Sequence, residues 1–253
     1  MAKHIGIVGC SAEGAALCYR TLCAEAGARM GEHMHPEVSM HTYPLGEYMV
    51  HIRSGNWDGV ARLMLSSAAK LAAVGAQIAV CPDNTIHQAF ARIAADSPIP
   101  WLHIAACVAR EAQARGLRTL ALLGTKYLMT GPVYPDVLRG LGIAWRIPEE
   151  SEREGIDGII FAELVNGVFL ESSRAYLNAV VRRMKGQGCD AVVLGCTEIP
   201  LLVDPGDCPL PTLDSTRLLA RAALEAALEE ESPARGAAGQ GAGDGVAQKR
   251  STE

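Results

Sequence analysis

Two polar clusters follow short apolar runs in this chain, and their residue types are suited to moving protons. Cys196, Thr197 and Glu198 come after the apolar run Ala191–Leu194 and one glycine. A short apolar run of this kind is typical of a strand that is buried on both faces of a parallel sheet. In open α/β sheets the ligand crevice lies at the carboxyl ends of the strands. We therefore interpret Cys196 as a proton carrier or nucleophile rather than as a structural thiol.

The same pattern occurs earlier in the chain. Residues 75–86 align with residues 188–199 without a gap, and this alignment sets Asp83 opposite Cys196. A second pair of segments, residues 3–9 and residues 118–124, repeats in the same order. We interpret the two repeated pairs of segments as evidence of two similar α/β halves, each of which supplies one strand end to a shared site.

A proton carrier on each side of one small ligand is the arrangement that inverts a carbon centre. One group removes the α-proton from one face, and the other returns a proton to the opposite face. Cys196 precedes a predicted helix start, a position that lowers the pKa of a thiol. Asn84 and Thr197 follow the two proton carriers and are expected to hold the carboxylate or amino group of a ligand, or else to act only as helix caps. Ser11 is expected to cap a helix whose free backbone N–H groups can hold a carboxylate.

Three blocks, Asp83–His87, Gly195–Leu202 and Ile5–Ser11, resemble the aspartate/glutamate racemase superfamily, and the likeness extends over residues 3 to about 228. The resemblance implies an α/β fold of two pseudo-symmetric domains, each a short, mostly parallel sheet flanked by helices, with the active site in the cleft between them. It also implies a homodimer that works without pyridoxal phosphate or metal, and it makes Cys196 the second catalytic cysteine of the family. The substrate-binding residues that it implies are Ser11, Asn84, Thr85, Thr125, Thr130 and Thr197.

The chain departs from the family where the first catalytic cysteine is expected, because Asp83 occupies that position. Cys81 lies two residues earlier, and residues two apart in an extended strand point to the same face. Pro82 separates the two, and we expect Asp83 to line the site. A carboxylate is a weaker base than a thiolate toward an α-proton unless burial raises its pKa.

The leading hypothesis is a cofactor-independent racemase or epimerase, an isomerase that acts on aspartate, glutamate or a related small carboxylate. Asp83 in place of a thiol leaves other interpretations open: a single-cysteine decarboxylase like the arylmalonate decarboxylases of the same superfamily, a cis–trans isomerase, or a non-catalytic carboxylate-binding protein. Asp83 could also hold a substrate ammonium without moving a proton. No arginine stands at an obvious position to anchor a side-chain carboxylate, and Arg53 and Lys126 are candidates that no motif supports.

Hydrophobic periodicity and turn residues predict alternating strands and helices. The acidic run Glu149–Glu154 is expected to be a solvated loop. We predict a first domain from residues 1–98 with 210–231, a second domain from residues 99–209, and a disordered Gly/Ala/Ser-rich tail at residues 232–253.

Composition excludes several classes of protein. The net charge of −5 gives no basic footprint for nucleic acid. No apolar run approaches the length of a membrane span and no signal peptide is recognisable, so a cytoplasmic protein without a membrane partner is expected. The eight cysteines contain no Cys-x-x-Cys pair, which favours buried free thiols in a reducing compartment. His33 and His35 lack supporting ligands, and the glycines do not match a dinucleotide fingerprint, so neither a metal nor a cofactor is expected.

Overall fold

A computed structural model describes residues 2–229 as an α/β protein with two four-stranded parallel sheets flanked by helices. The predicted fold class is confirmed. The tail predicted at residues 232–253 lies outside the described residues. Within the described part, no helix combines the length and apolar character that crossing a bilayer requires. All eight cysteines are free thiols, as the sequence indicates.

The first half of the chain builds one sheet. In chain order its elements are β1 (Ile5–Gly9), α1 (Ala12–Met30), β2 (Val38–Thr42), α2 (Leu45–Arg53), α3 (Trp57–Ala73), β3 (Ile78–Val80), a 3-10 turn (Thr85–Ala89), α4 (Phe90–Ile93) and β4 (Trp101–Leu102). The strands lie in the order β2-β1-β3-β4, all parallel. The central strands β1 and β3 are buried along their whole length, which explains their unbroken apolar sequences.

The second half builds the other sheet. Its elements are α5 (Ile104–Ala114), β5 (Thr119–Leu123), α6 (Lys126–Thr130), α7 (Val133–Gly140), β6 (Ala144–Arg146), α8 (Glu150–Ala162), a 3-10 turn (Leu164–Asn166), α9 (Glu171–Gly186), β7 (Ala191–Leu194), α10 (Ile199–Leu202), β8 (Thr212–Asp214) and α11 (Ser215–Leu228). The strand order β6-β5-β7-β8 repeats that of the first sheet, again with all strands parallel. The structure therefore bears out the two similar halves expected from the sequence repeat.

The prediction of a solvated loop over Glu149–Glu154 is wrong, because this run begins α8. Glu149 is the residue before the first turn, and it exchanges hydrogen bonds with Glu152 in a reciprocal capping box. Acidic side chains in a first turn are stabilised by the partial positive charge at the helix N-terminus. Helix α8 ends at Ala162, and Gly167 adopts the left-handed conformation (φ 71°) that closes the following 3-10 turn.

Sheet pairing differs from the predicted domain division at both edges. Strand β4 pairs with β3 in the first sheet, although residues 99–102 were expected in the second domain. Strand β8 pairs with β7 in the second sheet, although residues 210–214 were expected in the first. The sequence indicates a crossing strand or hinge at residues 101–106 but not the sheet that it joins, and it gives no strand signal at residues 212–214. The division into domains itself stays a prediction.

Helix α11 joins the halves, because it follows a strand of the second sheet and packs against α1 of the first half. Its residues Leu219 and Ala223 are buried in one apolar cluster with Ile7 of β1 and Val80 of β3. A fully buried leucine of this kind contributes about 1.5–3 kcal/mol through removal of its apolar surface from water. The apolar face of α11 thus holds the first sheet in place beside the second.

Candidate active site

In the first sheet, the parallel register brings two chemically active side chains to the same edge. Ile7 of β1 pairs with Val80 of β3. Three residues further along each segment stand Cys10 and Asp83. Burial and the neighbouring Asp83 carboxylate raise the pKa of the Cys10 thiol well above its usual range. The first half therefore presents a protonated thiol beside a carboxyl group.

The second sheet repeats this geometry with different side chains. Leu123 of β5 pairs with Leu194 of β7, and two residues further along stand Thr125 and Cys196. The segments run so close together that a Cβ added at Gly195 would lie 2.8 Å from the Leu123 carbonyl oxygen. Only glycine fits there, which explains why glycine ends the strand and delivers Cys196 to the sheet edge.

Both strand ends face one cavity of about 30 Å³, which is room for about two water molecules. Its lining residues come from both halves of the molecule: Ser11, Leu45, Met49, Ile52, Asp83, Thr85, Thr125, Tyr127, Ile160, Phe161, Val165, Cys196 and Glu198. Asp83 and Cys196 thus share a cavity, as the alignment of the two halves requires. The lining is polar where it comes from the strand ends and apolar where it comes from α2 and α8.

Cys196 is held as a neutral thiol. Its Sγ donates a hydrogen bond to Glu198 Oε2 at 2.9 Å. Burial first, and the Glu198 carboxylate second, raise the pKa of the thiol well above its usual range. The expected lowering of this pKa by a helix start is wrong, because α10 has only four residues and a carboxylate faces the sulfur.

The carboxyl group of Asp83 has a pKa closer to neutral pH than that of a solvated aspartate. Burial raises the pKa of its carboxyl to about 6, and the Glu198 carboxylate acts in the same direction. The backbone N–H of Ile86, which donates to Asp83 Oδ1 at 3.1 Å, and the Cys10 thiol oppose the rise. Burial therefore makes the Asp83 carboxylate a stronger base than a solvated aspartate.

Glu198 is the main residue of the cavity to which sequence reasoning gave no role. It is 2% exposed, and its Oε2 accepts hydrogen bonds from both Cys196 Sγ and Thr197 Oγ1. Its Oε1 is buried without a hydrogen-bond partner in the part of the chain that the structure describes. A buried carboxylate oxygen without a donor is costly, so this atom is suited to receive an N–H group of a ligand. In the sequence, the position of Glu198 directly after Cys196 and Thr197 was the feature that could have indicated its place in the site.

Hydroxyl groups from both halves surround the polar end of the cavity. Thr85 Oγ1 and Thr125 Oγ1 are 2.8 Å apart and connect the halves by a hydrogen bond. Ser11 Oγ accepts from the Gly14 backbone N–H at the start of α1 and lies 3.4 Å from Thr197 Oγ1. Ser11, Thr85 and Thr125 line the cavity, as predicted for substrate-binding residues, and their role in binding stays a prediction.

Three of the predicted site residues do not line the cavity. Asn84 is buried behind it, where its Nδ2 donates to Ser215 Oγ at 2.9 Å and its Oδ1 accepts from Tyr134 OH at 2.8 Å. Thr197 lies behind two lining residues, since its Oγ1 donates to Glu198 Oε2 at 3.0 Å and lies 3.4 Å from Ser11 Oγ. Thr130 is exposed, and its Oγ1 donates to the Lys126 carbonyl of its own helix.

The other groups that the sequence singled out lie away from the cavity lining. Cys81 is fully buried in an apolar cluster of the first half with Cys10 and Tyr48. His33 and His35 are exposed in the loop before β2. Across residues 2–229, no group of three or more His, Cys, Asp or Glu side chains is placed to hold a metal ion.

An open groove of about 680 Å³ adjoins the cavity. Ser11, Leu45 and Val165 line both spaces and therefore stand between them. Leu45 begins α2, a helix that the sequence analysis did not predict and that supplies three of the apolar side chains of the cavity.

A fold of two matched parallel sheets, with a thiol and a carboxyl group at equivalent strand ends, defines a class of α/β enzymes that move protons on small molecules. The family model described as Asp/Glu/Hydantoin racemase matches residues 5–223, and the chain belongs to this family.

Individual relatives agree with this assignment. The chain is 22% identical over 198 residues to the broad specificity amino-acid racemase RacX of Bacillus subtilis (strain 168), covering 78% of this chain and 85% of RacX. A Yersinia pestis crystal structure provisionally assigned as an Asp/Glu racemase has a TM-score of 0.81 at 31% identity, covering 90% of this chain and all of that one. An aspartate racemase homologue from Pyrococcus horikoshii OT3 has a TM-score of 0.78 at 29% identity, with the same coverage. These relatives are amino-acid racemases or their homologues, and racemases are isomerases.

Proposed function

We propose that the protein is a cofactor-independent amino-acid racemase or epimerase in which Cys196 and Asp83 serve opposite faces of the α-carbon. The observation that carries this proposal is the shared cavity, which has a thiol from one half and a carboxyl group from the other among its lining residues. The raised pKa of Asp83, about 6, supports its use as a base near neutral pH.

The proton transfers balance without an added reactant. For one enantiomer, the Asp83 carboxylate takes the α-proton while the Cys196 thiol gives its proton to the opposite face. The products are a protonated Asp83, a Cys196 thiolate and the inverted amino acid. The other enantiomer uses the same groups in reverse, and the free enzyme returns to its resting state by exchanging protons with water.

Glu198 supports a substrate-dependent activation of the thiol. In the free enzyme its carboxylate disfavours a thiolate at Cys196, because two negative charges would be neighbours. A substrate ammonium bound at the unpartnered Oε1 would supply a positive charge beside the same carboxylate. The thiol then loses its proton more readily, but only with substrate in place.

The substrate carboxylate is assigned to the hydroxyl end of the cavity. Ser11 lines the cavity at the N-terminus of α1, a helix of 19 residues whose partial positive charge favours an anion. Thr85 and Thr125 add hydroxyl donors from both halves. Aspartate and glutamate are the substrates that the family resemblance suggests, whereas the broad specificity in the name of RacX extends the choice of side chain.

The test is α-proton exchange in deuterium oxide. Each enantiomer of a set of amino acids is incubated with the protein, loss of the α-proton signal is followed by NMR, and inversion by chiral chromatography. We expect exchange and inversion for at least one amino acid. In Cys196→Ala we expect inversion to be lost and exchange to remain only for the enantiomer whose α-proton faces Asp83. Cys189→Ala is the matched control, because Cys189 is buried outside the cavity. Inversion that survives Cys196→Ala would contradict the proposal.

A decarboxylase is the second candidate, favoured by the presence of a single thiol among the cavity-lining residues and by the apolar wall that faces it. Protonation of one face after loss of carbon dioxide needs only one proton carrier. Release of carbon dioxide from a substituted malonate, with no inversion of any amino acid, would favour this function over racemisation.

A further inference from the structure

The part of the cavity lining that comes from helices α2 and α8 rather than from strand ends is apolar. It is formed by Leu45, Met49 and Ile52 of α2 together with Ile160 and Phe161 of α8. The polar lining residues gather at the strand ends. A ligand whose α-carbon lies between Asp83 and Cys196 therefore has hydrocarbon on the side away from the strand ends.

The charged residues that line the cavity are both acids, Asp83 and Glu198. No lysine or arginine among residues 2–229 belongs to the lining. Of the two candidates from the sequence, Arg53 is exposed, and Lys126 is exposed and lies 3.8 Å from the Asp157 carboxylate. The structure therefore offers no cation to a side-chain carboxylate inside the cavity.

A second carboxylate on the substrate would be placed unfavourably here. It would lose its hydration, gain no basic partner and come close to two acidic side chains. The α-ammonium of any amino acid, in contrast, finds the unpartnered Glu198 Oε1. The same lining that accepts an amino-acid head group thus disfavours an acidic side chain.

We infer that the substrate is an α-amino acid with an uncharged apolar side chain, seated against the α2 and α8 wall. This inference rests on the proposed function and names the substrate class of the same site. It replaces aspartate and glutamate, the substrates suggested by resemblance, with amino acids of the alanine, leucine and methionine type.

The size of the cavity indicates how such a side chain enters. About 30 Å³ is too little for an amino acid, whereas the adjoining groove offers about 680 Å³. Leu45 and Val165 line both spaces, and Met49 stands beside Leu45 on the next turn of α2. Met49 is a flexible side chain that adapts to a neighbour of varied shape. Displacement of Leu45 and Met49 would open the wall to an apolar group.

The experiment compares substrates and a charge-introducing variant. The kcat/KM for inversion is measured for both enantiomers of alanine, leucine, methionine, aspartate and glutamate, and binding of the same compounds is measured by calorimetry. We expect leucine or methionine to exceed aspartate and glutamate by at least about tenfold in kcat/KM. In Met49→Lys the preference should move toward the acidic substrates, while Met49→Leu, the matched control, should keep the preference of the original protein.

The outcomes separate the two proposals. Aspartate or glutamate inverted faster than every apolar amino acid would overturn the substrate class and leave the racemase intact. Inversion of no amino acid would overturn the proposed function, and calorimetry would then decide the substrate class by itself. Tighter binding of methionine than of aspartate would support it, and tighter binding of aspartate, or binding of neither, would contradict it.

Discussion

The two halves of the molecule present the same backbone geometry but different acid–base groups. In the first half, Cys10 follows β1 and Asp83 follows β3, whereas in the second half Thr125 follows β5 and Cys196 follows β7. The thiol thus follows the first strand, β1, in one half, but in the other half it follows β7, the equivalent of β3. The repeated scaffold therefore fixes the positions of the ionisable side chains at the strand ends but not their chemical type.

The second half also carries its own carboxylate. Glu198 contacts the Cys196 thiol directly, so each half combines one thiol with one carboxyl group. In the first half the carboxyl group lines the cavity and the thiol stands beside it. In the second half both groups line the cavity. We propose that this difference assigns the two faces of the substrate to a carboxyl base and a thiol acid.

The largest expected effect comes from removing the proton carrier of the first half. Asp83→Asn cannot accept or return a proton, so kcat/KM for inversion should fall by about 10²–10⁴-fold. Because the enantiomers have equal free energy, this fall is the same in both directions. Solvent deuterium should still enter the one enantiomer whose α-proton faces Cys196.

Asp83→Cys is the matched variant, since it makes the two halves alike. A thiol at this position should retain inversion, measured by the same chiral assay. If Asp83→Asn inverted amino acids at the original rate, Asp83 would be a binding group and the assignment of faces would fail.

A smaller effect is expected from Glu198→Gln in the second half. The amide removes the negative charge that raises the pKa of Cys196, so the thiol should react faster with iodoacetamide in the free protein. KM should rise by about 10-fold to 100-fold, because a hydrogen bond to a charged group contributes about 1.5–3 kcal/mol. Peptide mass spectrometry and steady-state kinetics measure these two changes.

Glu163→Gln serves as the control for Glu198→Gln, since the Glu163 carboxylate accepts from Ser173 outside the cavity. Unchanged reactivity of Cys196 in Glu198→Gln would show that burial alone holds the thiol protonated.

The smallest effect concerns the pH profile and the Cys10 thiol of the first half. In the proposed mechanism the carboxylate form of Asp83 is the base, so kcat/KM should rise as pH increases through the Asp83 pKa of about 6. Glu198 faces Asp83 and raises this pKa, while the Ile86 N–H and the Cys10 thiol lower it. Cys10→Ala should therefore move the acid limb of the pH profile to higher pH, and Cys10→Ser, which keeps a donor, should move it less. If the acid limb stayed in place in Cys10→Ala, the Cys10 thiol would not affect the pKa of Asp83.

Much of the fold follows from local sequence. The apolar runs that end in glycine identify β1, β5 and β7, because a doubly buried strand needs apolar residues on both faces. Helix α2 escaped prediction because His51 and Gly46 interrupt its apolar pattern and Pro44 precedes it. The strands β4 and β8 have two and three residues, too few for a periodic signal.

The site was only half accessible to sequence reasoning. Asp83 and Cys196 could be paired because the repeat places them at equivalent strand ends. Asn84 shares that repeat with Thr197, yet it turns away from the cavity toward Ser215 and Tyr134, and no local pattern records this. The apolar wall and the free oxygen of Glu198 depend on contacts between segments far apart in the chain.

Among the described residues, the backbone passes between the two sheets at only two places, between Leu102 and Ile104 and between Asp214 and Ser215. The helices that follow these crossings, α5 and α11, pack against each other, so both crossings lie on one side of the molecule. A movement that separates the two halves would bend the backbone at these crossings. It would also break the Thr85–Thr125 hydrogen bond that connects the halves. A more viscous solvent should slow this movement, so a kcat that falls with viscosity would indicate that product release depends on it.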